Sequence, residues 1–374
     1  MLDQQIEACG LPARFYTDPA LLSREIETHF VNGWVGVGVT QMIPNNGDVM
    51  PVSVAGRPLL MTRNREGKVQ VFHNVCRHRG TQLVAAPCHP PNGIMTCIYH
   101  TWSYSVDGKL VGAPDCNLDR ETKSKLGLLP VHMAIWWDVV FVNLSGTAQP
   151  FEEFIKPLVD YLAAFDFSPL RLVGFADIPA QANWKIAAEN SVDILHVPHV
   201  HPQLGTPPGY AYELHALSDS IFGYISPGMV DAETIEKYLP GDMFPSGPPG
   251  YQSAIDLHYV FPNTSILIAP TFVQVTIREP DGLTTTKQRY HGYLLGEEAV
   301  SRDGEMLMKA LREVASQDLE TMRRQQVGRI GDATDHGHMA GSVDELTAHV
   351  FKRIAEAYHD KNVKAVTEKR FASV

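Results

Sequence analysis

At 374 residues, 44% of them hydrophobic, the chain is long enough to bury two packed domains. A net charge of −11 with no basic stripe excludes a nucleic-acid backbone as partner, and five cysteines are too few and odd in number for a disulfide framework. No apolar run approaches the roughly 20 residues of a membrane span, and the N-terminus lacks a basic-then-apolar leader pattern, so a reduced, cytoplasmic setting is expected. The first expected element is a helix over residues 21–34. Thr17 or Asp18 can cap it, Pro19 suits its first turn, and Leu22, Ile26 and Phe30 fall at i, i+4 and i+8. From about residue 35 to 150 the texture changes to short apolar runs at 35–39, 59–62, 69–72 and 139–143. Gly, Pro, Asn and Asp separate them, which predicts a small all-β domain.

Two cysteine–histidine pairs lie inside that region, Cys76-Arg77-His78 and Cys97-Ile98-Tyr99-His100, with 18 residues between them. A buried thiol beside a surface histidine explains one such pair, but two pairs in Arg- and Gly-containing loops ask for a metal. Two thiols and two imidazoles suit either a tetrahedral zinc or a [2Fe–2S] cluster in which one iron takes both Cys and the other both His. Backbone N–H groups of tight loops can bond cluster sulfurs and raise the reduction potential. Cys88-His89 has neither spacing and sits in the turn-rich Ala-Pro-Cys-His-Pro-Pro-Asn-Gly, so it reads as a bystander. Cys9 and Cys116 are likewise left over.

A helical stretch over 151–165, opened by Ala148-Gln-Pro150, marks the expected domain boundary. Beyond it, strands at 171–178, 264–269, 271–278 and 284–295 mix with helices near 185–200, 300–327 and 343–360, which predicts an α+β domain. Residues 203–255 are rich in Gly, Pro and Tyr with weak periodicity, and read equally as a mobile substrate-lining lid or a surface loop. The dense signal of this half is Asn183-Trp184-Lys185 through Glu189-Asn190 to Asp193, His196, His199 and His201. On a helix Asp193 and His196 share a face; Pro198 then breaks the helix and lets His201 curl back. Two imidazoles plus a distant carboxylate would form the facial triad of a non-heme Fe(II) site, with positions open for O₂ and substrate. His-rich turns also occur on surfaces, and His199 fits either a place behind the ligands, the pocket wall or the surface.

Both motifs, and nearly the whole chain from Leu11-Pro-Ala-Arg-Phe-Tyr-Thr-Asp-Pro19 to the helix after Asp318, resemble the oxygenase (alpha) component of Rieske non-heme iron oxygenases. Cys76-Arg-His-Arg-Gly80 is similar to the first cluster loop, and Cys97 through Trp102, Tyr104, Asp107-Gly108 and Leu110 to the second. The resemblance implies an α+β protein with three parts: an N-terminal helical segment over 1–40 packing on the catalytic domain, an all-β Rieske [2Fe–2S] domain over 41–150, and a catalytic non-heme Fe(II) domain over 151–374. It makes Cys76, His78, Cys97 and His100 the cluster ligands and His196, His201 and Asp318 the mononuclear iron ligands. Asp318 lies in Ser316-Gln317-Asp318-Leu-Glu320, where many relatives carry an acid in place of Gln317. Glu320 is the rival ligand, but two residues on it would point about 200° away. Asp193 is implied as a catalytic bridge, accepting hydrogen bonds from His196 and from His100 of a neighbouring subunit. Asn190 is placed near the iron, and Glu189 holds nearby backbone or a histidine.

The implied reaction takes electrons from NAD(P)H through a separate flavin or iron–sulfur reductase, with or without a ferredoxin, and uses O₂ to hydroxylate a small substrate. No G-x-G-x-x-G fingerprint is present, in keeping with an external reductase. The branch resembled contains choline, glycine betaine and carnitine monooxygenases and aromatic-acid hydroxylases, so N-demethylation of a quaternary amine and hydroxylation of an aromatic compound are both expected readings. Ring cis-dihydroxylation is the alternative within the class; an electron-transfer protein or a zinc-stabilised binding module are alternatives outside it. The carnitine and glycine betaine enzymes commonly carry Glu-Cys-Tyr-His where this chain has Val192-Asp193-Ile-Leu-His196. Tyr210, Tyr212, Tyr224, Phe244, Tyr251, His258, Phe261 and Phe272 are candidates for the pocket wall, able to cage an ammonium or flank a ring. A homotrimer, or a multiple of it, follows from the resemblance.

Overall fold

Asp18 caps a helix near the N-terminus: its Oδ1 accepts the Ala20 N–H at 2.8 Å, and Pro19 occupies the first turn, where no N–H is needed. This helix, α1 (Pro19–Glu25), loosens into π-helical turns over Ile26–Val31. The computed structural model describes residues 9–114, 116–204, 212–228, 241–244, 253–331, 333 and 337–359. The chain divides into two compact units, Phe30–Phe151 and the remainder, Met1–His29 with Glu152–Val374. Among the described residues no helix is long and apolar enough to cross a membrane.

The Phe30–Phe151 unit is built from three three-stranded antiparallel sheets. It begins with β1 (Val35–Val39), every residue of which is buried. Next, β2 (Val49–Val54), β3 (Arg57–Arg63) and β4 (Val69–His73) form a meander. A second meander follows, β5 (Ile94–Thr96), β6 (Ser103–Ser105) and β7 (Leu110–Gly112). After a short helix α2 (Arg120–Lys125), β8 (His132–Trp136) and β9 (Val139–Asn143) close a sheet of order β1-β9-β8. Residues 35–39 belong to this β unit, as their apolar run predicts, because Val35–Val39 ladders onto Val139–Val142. Leu60, Phe72, Trp102, Tyr104 and Leu128 pack round the two thiols Cys76 and Cys97 as one core.

The other unit contains α3 (Phe151–Tyr161) from Glu152 onward and centres on a seven-stranded antiparallel sheet of order β10-β16-β15-β14-β13-β12-β11. Its members are β10 (Leu170–Asp177), β11 (Glu213–Ser218), β12 (Ile221–Ser226), β13 (Ile255–Val260), β14 (Thr264–Ile268), β15 (Val273–Pro280) and β16 (Thr286–Leu295). Helices accompany it, among them α4 (Trp184–Val192), α5 (Val197–Val200), the long α6 (Gly296–Gly328) and α7 (Glu345–His359). Leu307, Met308 and Leu311 of α6 pack on Ala176 and Leu294, and Ile255 and Leu267 join the same core.

Two sequence expectations change here. The segment 203–255 is not simply a loop, since residues 213–218 and 221–226 form the hairpin β11–β12. Its periodicity is weak because β12 is buried on both faces and so carries no polar alternation. The helix expected near 185–200 is two helices. It breaks at Asp193, whose backbone is extended, and Pro198 lies in the first turn of α5 rather than at a break.

Candidate active site

The two cysteine–histidine loops share one backbone frame. In the first, Cys76 N–H bonds Thr81 O at 2.8 Å and Gly80 N–H bonds Cys76 O at 3.0 Å. In the second, Cys97 N–H bonds Trp102 O at 2.8 Å and Thr101 N–H bonds Cys97 O at 3.0 Å. The residue four after each Cys has positive φ, +74° at Gly80 and +57° at Thr101. Glycine takes that conformation freely, whereas a β-branched Thr is strained in it, so the second loop is held by its surroundings. The frame buries both thiols and leaves His78 exposed and His100 half-exposed, their rings 4.6 Å apart. His78 also stacks on Trp102 at 4.9 Å.

Tyr104 hydroxyl lies 3.4 Å from Cys76 Sγ and accepts the Arg77 N–H at 2.9 Å. Burial pushes the Cys97 thiol up, but N–H groups of Tyr99 and His100 and the neighbouring Cys76 outweigh it and hold the thiol below its ordinary range. Donors aimed at sulfur are what a thiolate cluster ligand requires. Among the described residues, the donor sets whose atoms all lie within 4.8 Å of one another are His196/His201/Asp318 and His215/Asp256/His258. The Cys–His set is wider than that, which suits a two-iron cluster better than one tetrahedral ion. His89 lies elsewhere, its Nδ1 3.0 Å from Asp48 Oδ1.

In the other unit α4 is positioned by Asn183-Trp184-Lys185. Asn183 Oδ1 accepts the Lys185 N–H as the cap, and its Nδ2 bonds Leu283 O at 2.8 Å. Lys185 Nζ and Trp184 Nε1 both reach Glu25 Oε2 of α1, at 2.8 and 2.9 Å, and the Lys185 and Glu25 side chains are wholly buried. Glu189 accepts the Tyr16 hydroxyl and pairs with Arg329 at 3.3 Å, so it holds the N-terminal segment rather than a histidine. Burial pushes its carboxyl up.

The break at Asp193 brings three donors together. His196 Nε2 and His201 Nε2 stand 3.4 and 3.1 Å from Asp318 Oδ1, which is buried without a hydrogen-bond partner among the described residues. Asp193 Oδ2 lies 3.3 Å from His196 Nδ1, so one imidazole faces two carboxylates. Burial lowers the His196 imidazole, but Asp193 and Asp318 outweigh it and raise it to about 9. Burial likewise raises Asp318, and the two imidazoles override it to hold the carboxyl at about 2. Two anions on one imidazole and an orphaned carboxylate oxygen fit a divalent cation held by His196, His201 and Asp318.

Gln317, where many relatives carry an acid, orients His201. Its Oε1 lies 2.7 Å from His201 Nδ1 and accepts from Gln203 Nε2 at 2.8 Å. Gln203's Oε1 in turn accepts from Gln317 Nε2 at 3.2 Å. With its Nδ1 proton donated to Gln317, His201 presents the Nε2 lone pair to the site. The signal available in the sequence was adjacency to Asp318. Glu320 is exposed and paired to Arg323 and Arg324. His199 is exposed.

A cavity of about 200 Å³ adjoins His196, with Asn190, Asp193, Gln325 and Arg329 also in its wall. Among the described residues, none of the aromatic candidates for the pocket wall lines it. Phe261 packs edge-on against His29 and Trp184, Phe272 belongs to the core under α6, and Tyr224 and Phe244 are buried. Tyr210 and Tyr251 lie outside the described residues.

Residues 167–360 match the family described as Ring hydroxylating alpha subunit (catalytic domain), and residues 33–124 match the Rieske [2Fe-2S] domain. The chain is 34% identical over 208 residues to the glycine betaine monooxygenase oxygenase subunit of Chromohalobacter salexigens, covering 54% of this chain and 46% of that protein. It therefore spans about half the length of that relative. It is 27% identical over 331 residues to the carnitine monooxygenase oxygenase subunit of Escherichia coli K12, covering 86% and 84%. Among solved structures, the quaternary ammonium Rieske monooxygenase CntA with L-carnitine superposes with a TM-score of 0.76 at 22% identity, over 92% of this chain and 94% of that one. Naphthalene 1,2-dioxygenase with indole gives 0.75 at 20%, over 94% and 93%.

Proposed function

The chain belongs to the ring-hydroxylating alpha-subunit family, and from that premise we propose that it is the terminal oxygenase of a multicomponent system that demethylates a small quaternary amine or betaine-like compound. The observation that carries the reading is the convergence of His196, His201 and Asp318 on one point, with Asp193 beside His196. When bound, a cluster at Cys76, His78, Cys97 and His100 supplies single electrons, and an iron at the triad supplies O₂ activation. Gln317 holds the tautomer of His201, Asp193 holds His196, and Asn190 lines the space beside it. Electrons come from NAD(P)H through a separate reductase. One oxygen atom enters a C–H bond next to nitrogen, the other leaves as water, and the hydroxylated carbon departs as an aldehyde. The quaternary-ammonium substrate class rests on the likeness to the glycine betaine and carnitine monooxygenase oxygenase subunits.

Assembly into a ring is part of the same reading. Asp193 is one-third exposed, open to a histidine of another subunit, and His100 is the half-exposed ligand available to reach it. Co-expressing an Asp318→Ala chain with a Cys76→Ser chain then restores turnover that neither has alone. No restoration in mixed oligomers would show that electrons pass within one subunit.

Asp193-x-x-His196 differs from the Glu-Cys-Tyr-His common in the betaine and carnitine enzymes, and this favours aromatic hydroxylation as the second reading. A single-turnover reaction of reduced protein with ¹⁸O₂ and a panel of betaines, methylated amines and aromatic acids separates them. Demethylated product with aldehyde supports the proposal. Label on a ring overturns it in favour of the second reading, two atoms marking dihydroxylation. Oxidation of the cluster with no product from any substrate would leave an electron carrier.

A further inference from the structure

On β13, Ile255 faces the core under α6, so alternation turns Asp256 and His258 to the opposite face of the sheet. There they meet His215 of the edge strand β11. The register is His215 opposite Gly223 and Gly223 opposite His258, so a glycine separates the two imidazoles across three strands. A Cβ at Gly223 would come within 2.9 Å of His215 Cε1 and 1.8 Å of Leu257 O, so no other residue fits there. His215 Nε2 lies 3.2 Å from Asp256 Oδ1, and His258 Nε2 lies 3.2 Å from Asp256 Oδ2. Tyr161 of α3 covers the group, its ring 5.0 and 5.2 Å from the two imidazoles and its hydroxyl bonded to Asp256.

A hydrogen-bonded cluster accounts for His215, which bonds Asp256. It does not account for His258. That side chain is fully buried, and neither ring nitrogen has a hydrogen-bond partner, since its Nε2 sits close to the carboxylate but off the bonding line. Ligands about 2.0–2.1 Å from a tetrahedral zinc stand roughly 3.3 Å from each other, which is the spacing seen here. The donors are also the same two-imidazole, one-carboxylate set as in the triad of His196, His201 and Asp318, held on the other side of the sheet.

We propose that His215, Asp256 and His258 bind a second divalent transition-metal ion, zinc by donor type and spacing, with the Tyr161 hydroxyl or a water as fourth ligand. Its role is structural. The ion clasps the edge strand β11 to β13 and to α3, with access past His215 and Tyr161, the two partly exposed members.

The test uses cluster-loaded protein carrying His196→Ala and His201→Ala, so that the other triad cannot hold the probe. After incubation with Zn²⁺ and desalting, about one zinc per chain is retained, and the unfolding midpoint rises with zinc. Adding His215→Ala abolishes both effects while the cluster absorbance stays. No retained zinc in the parent, or equal retention after His215→Ala and after Asp256→Asn, overturns the proposal. Should the added variants fail to fold, anomalous scattering at the zinc edge from crystals of the parent decides: a peak among the three side chains supports the site, and its absence removes it.

Discussion

Asp318 Oδ1 is a buried carboxylate oxygen approached by two imidazoles, an arrangement that fits a cation between them. Asp318→Ala is expected to abolish mononuclear iron binding and leave the cluster absorption and EPR spectra unchanged. Loss of the cluster signal as well would show that the carboxylate serves something else. Gln317 acts one bond further out, through His201 Nδ1. Residues behind metal ligands typically contribute 10–100-fold in affinity. Gln317→Leu should therefore weaken Fe(II) binding by about one to two orders of magnitude, read by titration. Gln317→Glu, which still accepts the proton, should restore most of it. Equal affinities in all three proteins would rule out the tautomer argument.

At the scale of elements, α4 shows how a motif that looks catalytic divides into separate tasks. Asn183 caps the helix, Lys185 pairs with Glu25 out of water, and Glu189 fastens Tyr16 and Arg329. Only its far end reaches the triad. Removing one partner of a buried pair leaves the other charge uncompensated and costs roughly 3–5 kcal/mol. Lys185→Ala should lower stability by about that amount in denaturant unfolding. The double change Lys185→Met with Glu25→Gln should lose less, because no lone charge remains buried. If the two variants lose the same stability, the pair is not the source of the cost. The cluster loops follow the same logic in reverse: one hydrogen-bond frame is repeated with Cys-x-His in one copy and Cys-x2-His in the other.

Across the whole molecule, burial without a charge partner sets an acid limit. His29 and His291 are fully buried, and that burial holds their imidazoles down at about 3 and about 4. The unfolded chain takes up these protons near the ordinary histidine value of about 6.5 while the folded chain resists. Their stabilisation is thus complete above about pH 6.5 and is lost as pH falls toward the folded values, by up to roughly 1.4 kcal/mol per pH unit for each group. The unfolding midpoint should fall from pH 7 to pH 5, and less steeply in His29→Gln. Parallel profiles for the two proteins would exclude His29 as a contributor.

Local pattern was enough for what depends on neighbours along the chain: the Asp18-Pro19 helix start, the β runs at 35–39 and 139–143, the two cysteine–histidine loops and the three-histidine segment. It could not show that α4 ends at Asp193, because the break is set by packing and Pro198 reads as a stop as easily as a first turn. It could not separate Asp318 from Glu320 without a resemblance, since both are acids on one helix and only the fold buries the first and leaves the second paired in solvent. Nor could it join His215 to Asp256 and His258, which stand some 40 residues apart in sequence and meet only because β12 places a glycine between them. Sequence determined which donors the chain possesses and how each short segment bends. Burial and strand register, which depend on residues far apart in the chain, decided which donors share a point in space.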